Sequence, residues 1–423
     1  MQIPLHSPAQ KILLVSLSLV LAAAYIGIVS AQGAAAYFSE KPELASLLRA
    51  ARLQPGNADY HYRVGRYFLI VQRSPEPAVA AYRTAVALNP YEARYWFDLA
   101  AAYALLGDTS QQKDALEHAI VADPRTPDVA WEAANLYLVQ GDTDRALKEF
   151  RVVLENDPGL PSAALALCWR ARPDVEALLR DVVPPQPDVY AAFLSLLMAK
   201  KETASEAKVW AQLVELRLPM ERRRVFDYIR YLVGQHDPDQ ASLVWQQAAN
   251  LSELSAYQPS PSNLVVNGDF NLDVLNGGFD WLYARTPDVS LALDPTQSHA
   301  GHRSLEIVFN TAKIEDAGIR QLIVVQPNTS YDFSAYFRAE DIEGAGGPRF
   351  AIQDLFNATL YFSSEELKDA DFWKQVSGSF TTGPDTKLLV LRVQRMPAGS
   401  PIKGKLWIDS VRLVEGSHKD SAR

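Results

Sequence analysis

The spacing of four prolines is the sequence feature that most limits what this chain can fold into. Each proline ends a short segment, LQP, LNP, ADP or NDP, and successive prolines are 35, 34 and 34 residues apart; they are Pro55, Pro90, Pro124 and Pro158. A period of about 34 residues is the length of one helix–turn–helix unit, and a proline stops the second helix of each unit. The spacing therefore predicts stacked pairs of antiparallel helices.

The residues between the prolines support this prediction. The segment YWFDLAAAYALLGD (95–108) carries Trp96, Leu99, Ala100 and Tyr103 on one helix, and Gly107 supplies the turn after it. This pattern resembles that of tetratricopeptide repeat proteins, clearly over residues 41–158 and in degraded form to about residue 250. The resemblance implies an all-α solenoid over residues 41–254 whose concave groove binds a protein or peptide.

The resemblance also implies which side chains face that groove. The fifth position of each first helix is aromatic in three successive repeats, and polar residues follow one helical turn later. The predicted groove residues are Tyr62, Phe97 and Trp131, with Arg66 and Asn135. Packing between neighbouring first helices is the alternative role for these aromatic rings, and the sequence leaves both interpretations open.

The N-terminus contains a long apolar run. Residues 12–29 carry no charge and follow Lys11. This length is close to the roughly 20 residues that span a bilayer as a helix, yet the small residues before Gln32 also form a signal-peptide cleavage site after Ala31. Residues 1–36 are therefore predicted to be a membrane anchor or a signal peptide. In both cases the remainder is exported, because the positive flank precedes the apolar run.

Charge and cysteine content exclude some functions. The chain has 41 Lys and Arg against 50 Asp and Glu, a net charge of −9, so no nucleic acid partner is expected. Its one cysteine, Cys168, lies in an apolar helical context. A disulfide or a cysteine-based metal site within one chain is thus excluded, and Cys168 is expected to pack in the interior.

The helical period ends near residue 250 and a strand period replaces it. Residues 255–262 form a Pro/Ser-rich linker, and Tyr331, Phe333, Ala335 and Phe337 then alternate with more polar neighbours. Similar short runs separated by Gly, Pro and Asp continue to residue 416. Residues 263–416 are therefore predicted to form an all-β sandwich, followed by a polar tail at 417–423.

Five segments of this region occur in a familiar order: NLVVNGDFN (263–271), HAGHRSLEIVF (299–309), VQPNTSYDFSAYFRAE (325–340), FWKQVSGSFTTG (372–383) and GKLWIDSVRLVEG (404–416). Together they resemble carbohydrate-binding modules of the family four, nine and twenty-two type, which are galactose-binding-like jelly rolls. The resemblance implies a structural calcium held by the positions of Asn271, the Gly301–His302 loop and Asp409. Asn271 stands where a carboxylate is usual, so weak calcium binding at best is expected. The alternative is that Asn271 and Asp409 accept backbone hydrogen bonds.

The resemblance further implies sugar binding through exposed aromatic rings, because pyranose faces stack on flat side chains. The candidate rings are Trp281, Tyr283, Tyr336 and Tyr361, with Arg338 and Gln353 as polar neighbours. At least two of the four rings are expected to share one exposed surface. Core packing is the alternative for each ring taken singly.

These features predict a non-enzymatic, exported or membrane-anchored scaffold that needs no cofactor. Its helical repeats bind a protein partner and its sandwich binds a glycan, as in polysaccharide assembly or export. Two alternatives stay open: a protein-docking adaptor whose sandwich binds no sugar, and an accessory part of a glycoside-active enzyme. No motif of a hydrolase, a nucleotide-binding loop or a zinc protease occurs in the sequence.

Overall fold

The computed structural model describes residues 8–157 and 159–416. Pro158, the N-terminal residues 1–7 of the predicted anchor segment and the predicted polar tail at 417–423 lie outside the described residues. The helices are α1 (Pro8–Ser39), α2 (Leu44–Leu53), α3 (Ala58–Arg66), α4 (Pro75–Leu88), α5 (Ala93–Leu106), α6 (Thr109–Ala122), α7 (Pro127–Val139), α8 (Thr143–Asn156), α9 (Pro161–Ala171), α10 (Val175–Asp181), α11 (Pro187–Lys200), α12 (Thr203–Glu215), α13 (Arg222–Gly234) and α14 (Pro238–Gln247).

Strands follow the last helix. They are β1 (Leu282–Tyr283), β2 (Val289–Asp294), β3 (Ser304–Lys313), β4 (Asp316–Val324), β5 (Ser330–Gly344), β6 (Gly347–Asp354), β7 (Leu360–Ser363), β8 (Lys374–Thr381), β9 (Leu388–Met396) and β10 (Pro401–Glu415). The predicted order of an apolar N-terminal helix, an all-α array and an all-β sandwich is confirmed.

Contacts divide the chain into two compact units, one running to Leu197 and one beginning at Met198. This division does not coincide with the linker predicted at residues 255–262. That the helical repeats end at this linker therefore stays a prediction. The contact division places α12, α13 and α14 in the same unit as the sandwich.

The turns within the helix pairs follow from two-residue Gly-Asp signals. Gly107 and Gly141 adopt left-handed φ angles of +74° and +77°, which a side chain at either position would disfavour. Each following aspartate caps the next helix: Asp108 Oδ1 accepts from Gln111 N at 3.1 Å, and Asp142 Oδ1 accepts from Arg145 N at 3.2 Å. Local chemistry thus sets the turn geometry of these repeats.

Small residues let the paired helices approach closely in the first unit. Ala78 and Ala85 flank Tyr82 on α4, and all three are fully buried. A Cβ atom at Gly65 on α3 would lie 2.6 Å from the Tyr82 ring, so glycine is needed where α3 and α4 cross. Small side chains on both sides of a buried aromatic ring thus let α3 and α4 pack closely.

Helix α1 carries the apolar run and continues beyond it. Among the described residues, Gln10–Ser39 is the one helix long and apolar enough to cross a membrane, by length and composition alone. Its last turns are packed rather than free: Ala35 is buried against α2, in a cluster with Leu47 and Ala50. The helix therefore passes through Ala31 without a break and ends in the first packed layer of the array.

The sandwich consists of two five-stranded antiparallel sheets. The orders are β1-β4-β9-β6-β7, called sheet A below, and β2-β3-β10-β5-β8, called sheet B. Alternating side chains from both sheets fill the core, as with Phe333 of β5 against Phe350 of β6 at 5.4 Å between ring centroids. The other face of each sheet is partly covered, since Val390 on sheet A and Trp407 on sheet B are buried there.

Helices of the second unit pack on the sandwich through Trp245 of α14. The indole is fully buried, 6.0 Å from the Phe279 ring centroid, and its Nε1 donates to the Tyr257 carbonyl at 2.9 Å. A Cβ atom at Gly278 would lie 2.1 Å from the Trp245 ring, and the Gly278 φ is +60°. Only glycine permits this contact.

Candidate functional sites

Two of the predicted sugar-binding rings pack into the sandwich. Trp281 is 2 % exposed, stacks on Phe270 at 5.1 Å, and donates from Nε1 to the Asn267 carbonyl at 3.1 Å. Tyr361 of β7 lies against the Phe380 ring, and its hydroxyl accepts from Gly383 N at 2.9 Å. Trp281 is therefore a core residue, because a buried indole offers no ring face to a ligand.

The other two predicted rings lie on different sheets. Tyr283 of β1 is 51 % exposed at one edge of sheet A, while Tyr361 lies on the opposite edge strand. Tyr336 belongs to β5 in sheet B. The expectation that at least two of the four rings share one exposed surface is wrong, because strand order separates residues that share a strand-like pattern.

Sheet B carries an aromatic patch, formed by His299, Tyr336, Phe372 and Trp373. The His299 and Tyr336 rings stack at 3.5 Å with an interplanar angle of 13°, and the Trp373 centroid is 5.9 Å from that of His299. Phe372 beside it is 86 % exposed. The predicted Arg338 lies two residues from Tyr336, with its guanidinium 5.5 Å from the Trp407 ring. Tyr336 and Arg338 share one face of β5, and their role in sugar binding stays a prediction.

Sheet A carries a polar cleft of about 550 Å³ on its outer face, called the arginine cleft below. Arg320 of β4 and Arg392 of β9 are direct cross-strand partners there. Arg230 of α13 also lines it, and so do Leu282 and Tyr283 of the edge strand β1. Leu282 is opposite Arg320, whereas Tyr283 is opposite the buried Ile319, so the Tyr283 ring lies on the Ile319 side of this edge. The predicted Gln353 supports this cleft, because its Oε1 accepts from Arg392 Nη2 at 2.8 Å.

One acidic side chain, Asp316, lines the arginine cleft. Its Oδ1 accepts from Gly318 N at 2.7 Å, and its Oδ2 lies 3.7 Å from Arg392 Nη1. Burial raises the pKa of Asp316 above its ordinary value, and the nearby Arg392 opposes that rise. The Asp316 carboxylate is thus paired with Arg392 and helps to orient its guanidinium.

Sequence reasoning missed Arg320 and Arg392 as site residues. The available signal was a charged residue at an alternate position within two apolar strands, IRQLIV and LLVLRV. That signal shows that each arginine faces away from the core, but the register that pairs them is not visible in either strand alone.

The predicted calcium residues lie together where the loop 299–302 meets the chain ends of the sandwich. Asp409 Oδ2 accepts from His299 N at 2.7 Å and from Ala300 N at 2.9 Å. Asn271 Oδ1 accepts from His302 N at 3.0 Å, and Gly301 adopts a φ of +78°. Burial raises the pKa of Asp409, while the backbone N–H donors counter it. The structure thus favours the backbone-capping interpretation.

The guanidinium of Arg303 occupies the place where the loop 299–302 meets the chain ends of the sandwich. Arg303 donates from Nε to the Phe270 carbonyl at 2.8 Å and from Nη2 to the Asn271 carbonyl at 3.0 Å. Nη2 also lies 3.0 Å from Asp273 Oδ1. Calcium needs six to eight oxygen ligands, and here the available oxygens already accept N–H donors. The residues present therefore do not fit a calcium ion.

We predict that removing calcium will not destabilise the sandwich, whereas removing Arg303 will. Arg303→Ala should lower the free energy of unfolding by about 2 kcal/mol, because two carbonyls lose a charged donor. The measurement is thermal unfolding with a chelator and with millimolar calcium, for the wild type and for Arg412→Ala as a surface control. A calcium-dependent rise in the wild-type melting temperature would contradict the prediction. Asn271→Glu then tests whether an added carboxylate creates a calcium response.

The predicted groove residues divide into two groups. Tyr62, Arg66 and Phe97 line a cleft of about 570 Å³ together with Arg94 and Asp98. Trp131 and Asn135 are not part of that lining: the Trp131 ring meets Phe150 edge-on at 5.7 Å, and Asn135 Nδ2 donates to the Trp131 carbonyl at 2.8 Å. Packing is thus the observed role of Trp131.

The charges of this groove are partly buried. Tyr62 is 4 % exposed and its ring lies 4.8 Å from that of Tyr95, so the ring packs between neighbouring helices. Burial raises the pKa of Asp98, opposed by a hydrogen bond with Tyr62 and by Arg66 and Arg94. Phe97 remains partly exposed beside these charges. A groove with one apolar ring and paired charges can bind an extended peptide.

No metal centre is assembled by residues 8–157 and 159–416, where no group of three or more His, Cys, Asp and Glu side chains comes together.

Comparisons with known proteins match the sandwich and the helical region separately. Residues 262–399 match the family model for a carbohydrate binding domain. Among solved structures, "Family 16 Carbohydrate Binding Module-2" is 19 % identical, covering 36 % of this chain and 100 % of that chain with a TM-score of 0.27. No curated protein matches the chain.

The helical part has its own similar structures. "Crystal structure of MamA" is 14 % identical and covers 41 % of this chain and 85 % of that chain, with a TM-score of 0.27. "Functional Characterization of Pseudomonas Aeruginosa pilF" is 18 % identical and covers 49 % of this chain and 82 % of that chain, with a TM-score of 0.25.

Proposed function

We propose that this protein is a non-enzymatic, membrane-anchored scaffold whose sandwich binds a glycan and whose helical groove binds a protein. The observation that carries the glycan half is the match of residues 262–399 to a carbohydrate binding domain, in a sandwich with an open polar cleft beside an exposed aromatic ring. A role in polysaccharide assembly or export follows from combining the two kinds of binding.

The glycan lies in the arginine cleft in this proposal. Tyr283 of β1 is half exposed at the sheet edge that borders the cleft, with its ring on the Ile319 side of that edge. A sugar that reaches over β1 can stack its apolar face on this ring. Thr286 and Arg320 supply hydrogen-bonding groups within the same cleft. A few polar groups around an aromatic platform are the usual elements of a sugar site.

We expect the full-length protein to bind at least one linear oligosaccharide from a panel of neutral and uronic-acid glycans. The protein is held in a polyoxyethylene detergent, because glycoside detergents would compete as sugars. Tyr283→Ala should weaken binding roughly tenfold through loss of the stacking face. Tyr91→Ala is the control, since Tyr91 is exposed on the helical unit. Isothermal titration measures both.

Two results would contradict this proposal. Absence of binding across the panel would favour the docking adaptor, in which the aromatic patch of sheet B contacts a protein. Turnover of a glycan by the purified chain would instead favour the glycoside-active alternative.

Labelling of one introduced cysteine tests on which side of the membrane the groove lies and whether the groove is accessible. Cys168 is buried and burial raises the pKa of its thiol to about 12, so it should not react with a maleimide. Phe97→Cys adds a reactive thiol to the groove. In sealed membrane vesicles of known orientation, a membrane-impermeant maleimide should label this variant from the non-cytoplasmic side, with the wild type unlabelled.

The same thiol tests the protein partner. A bifunctional reagent attached at position 97 should cross-link a second protein in native membranes, while a cysteine placed at the exposed Val121 should not. Labelling from the cytoplasmic side would refute the proposed topology. Equal cross-linking from both positions would refute a specific groove.

A further inference from the structure

We propose that the arginine cleft selects a glycan bearing carboxylate groups, so that the ligand is a uronic-acid polysaccharide rather than a neutral one. This inference rests on the proposed glycan-binding function and adds the chemical class of the sugar. It is carried by the arrangement of Arg320, Arg392 and Arg230 on the outer face of sheet A.

The cross-strand pairing of two arginines is the central observation. Arg320 of β4 and Arg392 of β9 are directly opposite in an antiparallel pair. Like charges in this position repel each other and destabilise the sheet. A bound anion converts that repulsion into two attractive contacts, which explains why two cations can share the site.

The two arginines differ in how they are held. Arg392 is fixed by Gln353 and by Asp316, so its guanidinium is oriented before a ligand arrives. Arg320 is exposed, and no hydrogen bond or ion pair within 4 Å joins it to a residue in the ranges 8–157 and 159–416, although its charge, like that of Arg392, opposes the rise that burial causes in the pKa of Asp316. One oriented and one free guanidinium together suit a planar carboxylate, which accepts paired N–H donors.

The local charge contrasts with that of the whole chain. Arg230, Arg320 and Arg392 face one acidic residue, Asp316, whereas the protein carries a net charge of −9. Arg230 pairs with Asp227 at 3.1 Å on its own helix, so part of its charge is already balanced. A positive cleft on an acidic protein attracts anions to that position.

The position of Tyr283 points to a sugar as the carrier of the carboxylate. Tyr283 borders the cleft from the edge strand β1, with its half-exposed ring on the Ile319 side of that edge. An oligosaccharide that crosses this edge can contact both the ring and the arginines. A free carboxylic acid or an acidic peptide has no pyranose face to stack on the ring. A uronic-acid residue uses both features at once, through its C–H face and its carboxylate.

The test compares one oligosaccharide in two charge states. The full-length protein in a polyoxyethylene detergent is titrated with an oligogalacturonate and with the same oligosaccharide after reduction of its carboxylates to alcohols. The acidic form should bind at least about tenfold more tightly, and added salt should weaken it. Arg320→Gln should weaken binding of the acidic form by about tenfold and leave the reduced form unchanged. Lys374→Gln, the same loss of charge on sheet B, should change neither.

Four outcomes would overturn the inference. Equal binding of both forms would mean that the cleft recognises sugar without its carboxylate, and the proposed glycan-binding function would stand. Equal binding of polyglutamate would indicate general attraction to polyanions. An unchanged affinity of Arg320→Gln, with its melting temperature also unchanged, would place the acidic sugar elsewhere. Binding of no glycan in either form would remove the proposed function itself.

Discussion

Trp245→Ala is expected to lower the free energy of unfolding of the second unit by about 3–5 kcal/mol. The indole is fully buried between Phe226 and Phe279, and Gly278 leaves no other side chain to fill its volume. The deletion also removes the hydrogen bond to the Tyr257 carbonyl. A cavity and an unpaired carbonyl would then lie where α14 meets the sandwich.

Urea unfolding and amide hydrogen exchange measure this effect. Exchange of the α13 and α14 amides should accelerate in Trp245→Ala, whereas the amides of the central strands β9 and β10 should change less. Leu243→Ala is the matched control, because Leu243 lies on the same helix and is 43 % exposed; its effect should stay within about 0.5 kcal/mol. A loss below about 1 kcal/mol for Trp245→Ala would mean that this contact does not join the helices to the sandwich.

Lowering the pH from 7 to 5 is expected to stabilise the sandwich through Asp280. This carboxyl is fully buried, and its Oδ2 accepts from Leu275 N at 2.7 Å. Burial raises the pKa of Asp280 from 3.8 to about 6, with backbone donors opposing the rise. The folded state therefore takes up a proton below about pH 6, while the unfolded state does so only near pH 3.8.

The free energy of unfolding therefore rises as the pH falls, because the folded state binds this proton more tightly than the unfolded state. Above pH 6 the folded protein holds a buried charge, and this cost disappears as the pH falls through 6 towards 3.8. The full difference between the two pKa values corresponds to about 3 kcal/mol, of which about 1.4 kcal/mol is gained between pH 7 and pH 5. In urea unfolding at pH 7, 6 and 5, Asp280→Asn should lack this gain of about 1.4 kcal/mol. Asp385→Asn on the surface is the control, and equal pH dependence of wild type and Asp280→Asn would contradict the prediction.

The local sequence determined the elements and their turns. Proline spacing predicted the helix pairs, and Gly107 predicted a turn that the structure contains. Alternation in β5 predicted which of its side chains enter the core, and Phe333 and Phe337 are buried. These features depend on residues a few positions apart, so a single segment contains the information.

Tertiary structure alone decided the site. Arg320 and Arg392 are 72 positions apart, and only the register of β4 against β9 makes them partners. The same holds for Arg303, whose guanidinium reaches carbonyls at 270 and 271 from the loop before β3 and occupies the seam where calcium was expected. From its sequence, Trp281 could be either a sugar-binding ring or a core residue. In the structure it stacks on Phe270 and is a core residue. Strand pairing and burial join distant segments, and a pattern within one segment cannot specify its neighbour.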